Sequence, residues 1–123
     1  MKEIVGTISF SKLVIDDYCP FDEFINEIEH QGNLRKNLLS VFAIMDQIAN
    51  LKFLPQSKFK DITPKKEAIK EFEIKKGDLR VYLIKEEEHI LILGGKKNSQ
   101  AKDIHKFRSL KQRYLASKQS HRS

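Results

Sequence analysis

The chain has no tryptophan, a single cysteine and three prolines among its 123 residues. Cys19 alone cannot close an internal disulfide, so a folded state must rest on its core, and the reading is of a reduced, cytoplasmic protein. No run approaches the about 20 consecutive apolar residues that a membrane span needs, and the N-terminus lacks the basic-then-apolar pattern of a secretory signal. His30, His89 and His121 are scattered, and no Cys/His spacing suggests zinc. Neither a metal nor a small-molecule cofactor is expected.

Charged residues make up 33% of the chain and hydrophobic ones 40%, the composition of a folded soluble domain. The length suits one core, and we read a single domain over 1–116 followed by a polar, frayed tail over 117–123. The net charge of +6 is unevenly placed: through Leu51 there are 4 Lys/Arg against 8 Asp/Glu, a net of -4, and from Lys52 onward 19 against 9, a net of +10. A basic half attracts a polyanion, nucleic acid first.

Along the chain, Ile4 to Phe10 alternates as a first strand, which Leu13 to Ile15 prolongs or follows as a separate short piece. Cys19-Pro20 opens a helix in which Phe21, Phe24, Ile25 and Ile28 share a face, with Gly32 closing it. Asn33 is the expected cap of the next helix, whose stripe is Leu34, Leu38, Phe42, Met45 and Ile48, widened by Leu39, Val41 and Ala49. Phe42 and Met45 are expected in the core. The two helices form an antiparallel hairpin. The connection from Lys52 to Lys66 reads as a loop rimmed by Lys52, Lys58, Lys60, Lys65 and Lys66.

The stretch from Ile69 to Gln100 carries most of the information. A tight turn at Lys76-Gly77 pairs Ile74 with Leu79, Phe72 with Val81, Glu73 with Arg80 and Glu71 with Tyr82. That register puts Phe72, Ile74, Val81 and Leu83 on one face, for the helical hairpin to cover, and Glu73, Arg80 and Tyr82 on an open face. His89 to Leu93 is an apolar, interior strand leading into Gly94-Gly95-Lys96-Lys97. Asn98 or Ser99 then caps a last helix with the stripe Ala101, Ile104, Phe107, Leu110 and Tyr114, decorated by Arg108, Lys111 and Arg113. The order is β-α-α-β-β-β-α, an α+β fold.

That order, with FEIKKGDLRVYLI and GGKKNSQAKDIHKF, resembles the RelE/ParE superfamily of bacterial toxins, in particular its HigB-like and phage-derived branches. The resemblance implies a RelE-like domain acting as the toxin of a type II toxin-antitoxin system, with a cognate antitoxin, messenger RNA and the ribosome as partners. RelE- and HigB-type members cut messenger RNA in the decoding site; ParE-type members act on DNA gyrase, and the basic pair after the last strand favours the first. The sequence departs from the RelE pattern at Glu71 and Glu73, where RelE-type proteins carry lysines and HigB-like ones vary, which weakens any lysine-based proton transfer.

Metal-independent RNA cleavage needs a proton acceptor for the 2′-hydroxyl, a cation for the developing charge and a donor for the leaving oxygen. Arg80 suits the cation, Lys97 with Lys96 beside it suits phosphate positioning, Glu73 is the base to test, and His105 or Tyr114 the donor. For Glu73 and Arg80 the alternative is a surface salt bridge, and for His105 an exposed helix histidine with no task. Tyr82 is a candidate for stacking on an unpaired base, and Lys75, Lys76, Lys102 and Arg108 for further RNA contacts. An acidic or amphipathic antitoxin segment is expected against the sheet edge or the groove between the helices and the C-terminal basic cluster. The rivals are a ParE-like gyrase inhibitor and a basic RNA-binding module without catalysis.

Overall fold

Two alternating strands and a two-residue turn set the frame. In the computed structural model, which describes residues 10–50 and 57–122, β3 (Lys70–Lys76) and β4 (Leu79–Lys85) pair antiparallel with Lys76 opposite Leu79, Lys75 opposite Arg80, Ile74 opposite Val81 and Glu73 opposite Tyr82. The turn is therefore Gly77-Asp78, not Lys76-Gly77. Gly77 adopts φ +56°, which a glycine reaches without the strain a Cβ would bring, and a Cβ there would stand 2.6 Å from Asn37 Nδ2. The expected register is off by two residues. Because side chains alternate with period two, that slip leaves every residue on its expected face.

β5 (His89–Lys96) pairs with β4 and carries an extra residue, Ile92, where the register shifts opposite Tyr82/Leu83. β1 (Phe10–Lys12) lies parallel to β5, and Leu13 extends the pairing by donating its amide to Leu91 O. The earlier part of the expected first strand, Ile4 to Ser9, falls outside the described residues. At the other edge, β2 (Phe59–Asp61) pairs antiparallel with β3, so the segment read as a loop, whose start at Lys52 also lies outside the described residues, holds a strand. Phe59 fixes it there, its ring stacked 4.7 Å from that of Phe72. The five-stranded sheet has the order β1-β5-β4-β3-β2, and the fold is α+β.

α1 (Pro20–Ile28) starts at Pro20 as its sequence requires and buries Phe21, Phe24 and Ile28. It ends before Gly32, which instead opens α2 (Gly32–Ala49) with Gln31, not Asn33, as the cap. α1 and α2 cover the face that carries Ile74, Val81 and Leu83, with Phe72 half-buried at its margin. α2 buries Leu34, Leu38, Val41, Ile44, Met45, Ile48 and Ala49. That rotation turns two expected stripe residues outward: Leu39 is 65% and Phe42 40% exposed.

A short 3₁₀ turn, Lys97–Ser99, leads into α3 (Gln100–Arg122), which lies across the opposite face. Phe107 and Leu110 pack there with Leu13, Tyr82, Ile84, Ile90, Ile92 and Leu93, flanked by Ile104 and Tyr114. Ala101 is exposed, and the helix continues through Arg122, into the stretch read from the sequence as a polar tail over 117–123. Helices thus cover both faces of the sheet. The open face expected around Arg80 does not exist, and Lys111, expected as surface decoration, is fully buried.

β5 shows why two glycines stand in sequence. A Cβ on Gly94 would run into the ring of Phe24 from α1, and one on Gly95 into the carboxylate of Asp103 from α3. Adjacent residues of a strand point to opposite faces, so each helix demands its own gap. Among the described residues, no helix is long and apolar enough to cross a membrane.

Candidate functional site

The polar residues expected to do chemistry divide between two places. The first lies beneath α3. Arg80 is 8% exposed; its Nη1 donates to Gly77 O at 2.7 Å and Leu79 O at 2.9 Å, while Nε is buried with no partner among the described residues. The guanidinium folds back on its own hairpin turn. Glu73 is buried opposite Tyr82 and not Arg80, accepting from Gln100 Nε2 at 2.6 Å with Lys75 Nζ 3.8 Å away. The Tyr82 ring stacks on Phe107 at 5.6 Å, and its hydroxyl is buried near the Glu73 carboxylate. Burial first, then the nearby carboxylates of Glu73 and Asp103, push its pKa above the ordinary tyrosine value. None of the three is placed to meet a polynucleotide.

The same face holds a buried charge network. Lys111 Nζ lies 2.7 Å from Glu71 Oε2 and 3.2 Å from both Glu67 Oε2 and Ile69 O. Arg108 donates from Nε to the other Glu71 oxygen at 3.0 Å and from Nη2 to Ile62 O at 3.0 Å. Farther along, the Tyr114 hydroxyl donates to Glu86 Oε1 at 3.0 Å, and Lys118 grips the same carboxylate at 3.1 Å. Burial, then Glu86, raise the pKa of Tyr114. Arg108 and Tyr114, expected to contact RNA, instead fasten α3 to the sheet.

The second place is the end of the sheet at the β3–β4 turn. In the cross-strand row Lys76, Leu79, Lys96, neighbours point to one face, and Leu79 belongs to the core under α1 and α2. Lys76 and Lys96 therefore lean toward α2, where Lys96 Nζ donates to Gln31 Oε1 at 3.3 Å. Lys97 is exposed, its amide donating to Asp78 O at 2.7 Å, which pins the basic pair against the turn.

Between them opens a groove of about 730 Å³ lined by Gln31, Gly32, Asn33, Leu34, Asp78, Lys96, Lys97 and Asn98. Its far wall is the first turn of α2, which has no side-chain cap and no acidic residue. A cation pair facing the amide end of an 18-residue helix favours an anion such as a phosphate. Among the described residues, Asp78 is the only acidic side chain in that lining. Lys102 and His105 stand exposed on α3 shortly after the groove. Of the expected site residues, then, Lys96 and Lys97 line the groove and Lys76 shares their end of the sheet, across Leu79 from Lys96; Lys75 lies half-buried beside Glu73.

Sequence reading did not find the α2 contribution. A glycine and two amides before a strong helix carry no charge, and only the pairing of Lys96 with Leu79 brings them to the basic pair. Among the described residues, no group of three His, Cys, Asp or Glu side chains is arranged to hold a metal ion. No protein-family model, curated protein or solved structure matches the chain.

Proposed function

We propose that the protein binds RNA through the basic end of its sheet and acts as the toxin of a type II toxin-antitoxin pair that stops translation. The observation that carries the reading is the pair Lys96 and Lys97 lining one groove opposite the uncapped start of α2, with Lys76 on the same face two strands from Lys96. Such a groove holds phosphates by charge and by backbone N–H groups, without reading bases, which is how a protein grips the RNA backbone. The toxin class comes from the resemblance of the strand-turn-strand and Gly-Gly-Lys-Lys segments to the RelE/ParE superfamily.

The burial of Arg80, Glu73 and Tyr82 favours binding without chemistry over cleavage, because none of these groups can reach a phosphate while α3 covers the sheet. An induced culture of the parent and of the Lys96→Ala/Lys97→Ala variant tests this, with amino-acid incorporation and transcript ends measured together. Incorporation should fall in the parent while transcripts stay whole, and the variant should relieve the arrest. Cut transcripts would restore the ribonuclease reading, gyrase inhibition would establish the ParE-like one, and undisturbed growth would remove the toxin assignment.

A further inference from the structure

α2 has a second ordered face besides the one it buries. Leu39 and Phe42 are 65% and 40% exposed, large apolar side chains three positions apart in the middle of the helix. Arg35 stands four positions before Leu39 and Asp46 four after Phe42, and both are exposed. At 3.6 residues per turn, a spacing of four, three and four keeps all four side chains on one line, the seam through which paired helices pack. Along that seam the order is cation, apolar, apolar, anion.

This order is its own complement when the helix is reversed. A two-fold axis between Ser40 and Val41 sets Leu39 against Phe42 of a second copy and Arg35 against the second copy's Asp46. The axis also falls at the midpoint of Gly32–Ala49, so two helices related by it overlap along their full 18 residues. Neither Arg35 nor Asp46 has an ion pair with another described residue. An unrelated partner would not require opposite charges at equal distances from the centre; a two-fold contact does, because each residue that meets a partner is met in return.

We propose that two copies of this chain associate through an antiparallel contact between their α2 helices, centred between Ser40 and Val41, with Leu39 against Phe42 and Arg35 against Asp46. One helix pair buries less than the roughly 1,200 Å² of a standard interface, so the association is reversible and set by concentration. The inference does not depend on RNA binding. Because the helices run in opposite directions, the two basic grooves lie at opposite ends of the pair.

Sedimentation equilibrium on the full chain, in a concentration series through the micromolar range, reads the association directly. The parent should show a monomer–dimer equilibrium, and Leu39→Glu should weaken it at least about tenfold, equivalent to about 1.4 kcal/mol. Arg35→Asp and Asp46→Arg should each weaken self-association, because like charges then meet. Mixed together, those two variants should associate with each other, since the introduced carboxylate of one then faces the introduced guanidinium of the other, and the double variant should recover the parent's affinity. Circular dichroism checks that each variant keeps its helices. A parent that stays monomeric throughout would overturn the proposal, as would a dimer indifferent to Leu39→Glu or charge variants that mixing fails to rescue.

Discussion

Replacing Lys111 by methionine removes an ammonium group that the fold has sealed in with its partners. The side chains of Lys111 and Glu71 are 1% and 2% exposed and 2.7 Å apart, so the substitution leaves a carboxylate in the interior with part of its compensation gone. Breaking a buried pair by removing one partner costs about 3 to 5 kcal/mol. Arg108 stays on the other oxygen at 3.0 Å and is 41% exposed, which keeps Glu71 partly paired and points to the lower end, about 3 kcal/mol. For a domain of this size that corresponds to a fall in Tm of roughly 10 °C. Urea unfolding followed by circular dichroism should show the loss. Adding Glu71→Leu should restore most of it, since the stranded charge is gone and Arg108 can turn to water. A Lys111→Met protein with the parent's midpoint would refute the reasoning, and so would a double variant no more stable than the single one.

Phe42→Ala should cost about 1 kcal/mol or less, because the ring is already 40% exposed, whereas Met45→Ala should cost about 2 to 5 kcal/mol; denaturant midpoints compare them. Gly94→Ala, which pushes a methyl group into Phe24, should destabilise by about 1 to 3 kcal/mol, visible as an earlier thermal transition. His89 lies among Phe10, Phe59 and Phe72, and burial, then Lys85, lower its pKa to about 4 from the ordinary 6.5. The unfolded chain takes up the proton first as pH falls, so stability is full above 6.5 and is lost toward 4, by up to about 3 kcal/mol. In His89→Phe that part of the acid sensitivity should vanish when urea midpoints above pH 6.5 and near pH 4 are compared.

The hairpin's faces are legible in the sequence because period-two alternation survives a slip of two residues, even though the turn itself lies one position from where it is expected. Helix existence is equally legible, since Pro20 and the spacing of Phe21, Phe24 and Ile28 allow little else. What covers the second face is not. A row of Glu71, Glu73 and Arg80 reads as solvent-facing unless its partners are known, and Lys111, Arg108 and Gln100, which satisfy the two carboxylates, come from some 27 to 40 residues farther along the chain. The narrow stripe of α3 gives a clue, because Phe107 and Leu110 need a surface to bury against. Phe42 departs from expectation for a geometric reason: helical periodicity fixes the spacing of a stripe, while packing of Val41, Ile44 and Met45 against the sheet decides which edge of it faces water. The basic pair at Lys96-Lys97 is visible directly. The groove opposite it requires a fold.

RNA binding at the β3–β4 turn is tested most directly by the salt dependence of affinity for a single-stranded RNA oligonucleotide, measured by fluorescence anisotropy on the parent, Lys97→Ala and Lys65→Ala. Lys65 is exposed in the connection that precedes β3, away from the groove lining, and serves as the control. Each phosphate contact on a single strand contributes about 0.7 to the slope of log K against log salt. Lys97→Ala should bind more weakly and lower the slope by about 0.7, with Lys65→Ala indistinguishable from the parent. Equal affinity and slope in the parent and Lys97→Ala would contradict the assignment of this end of the sheet to RNA.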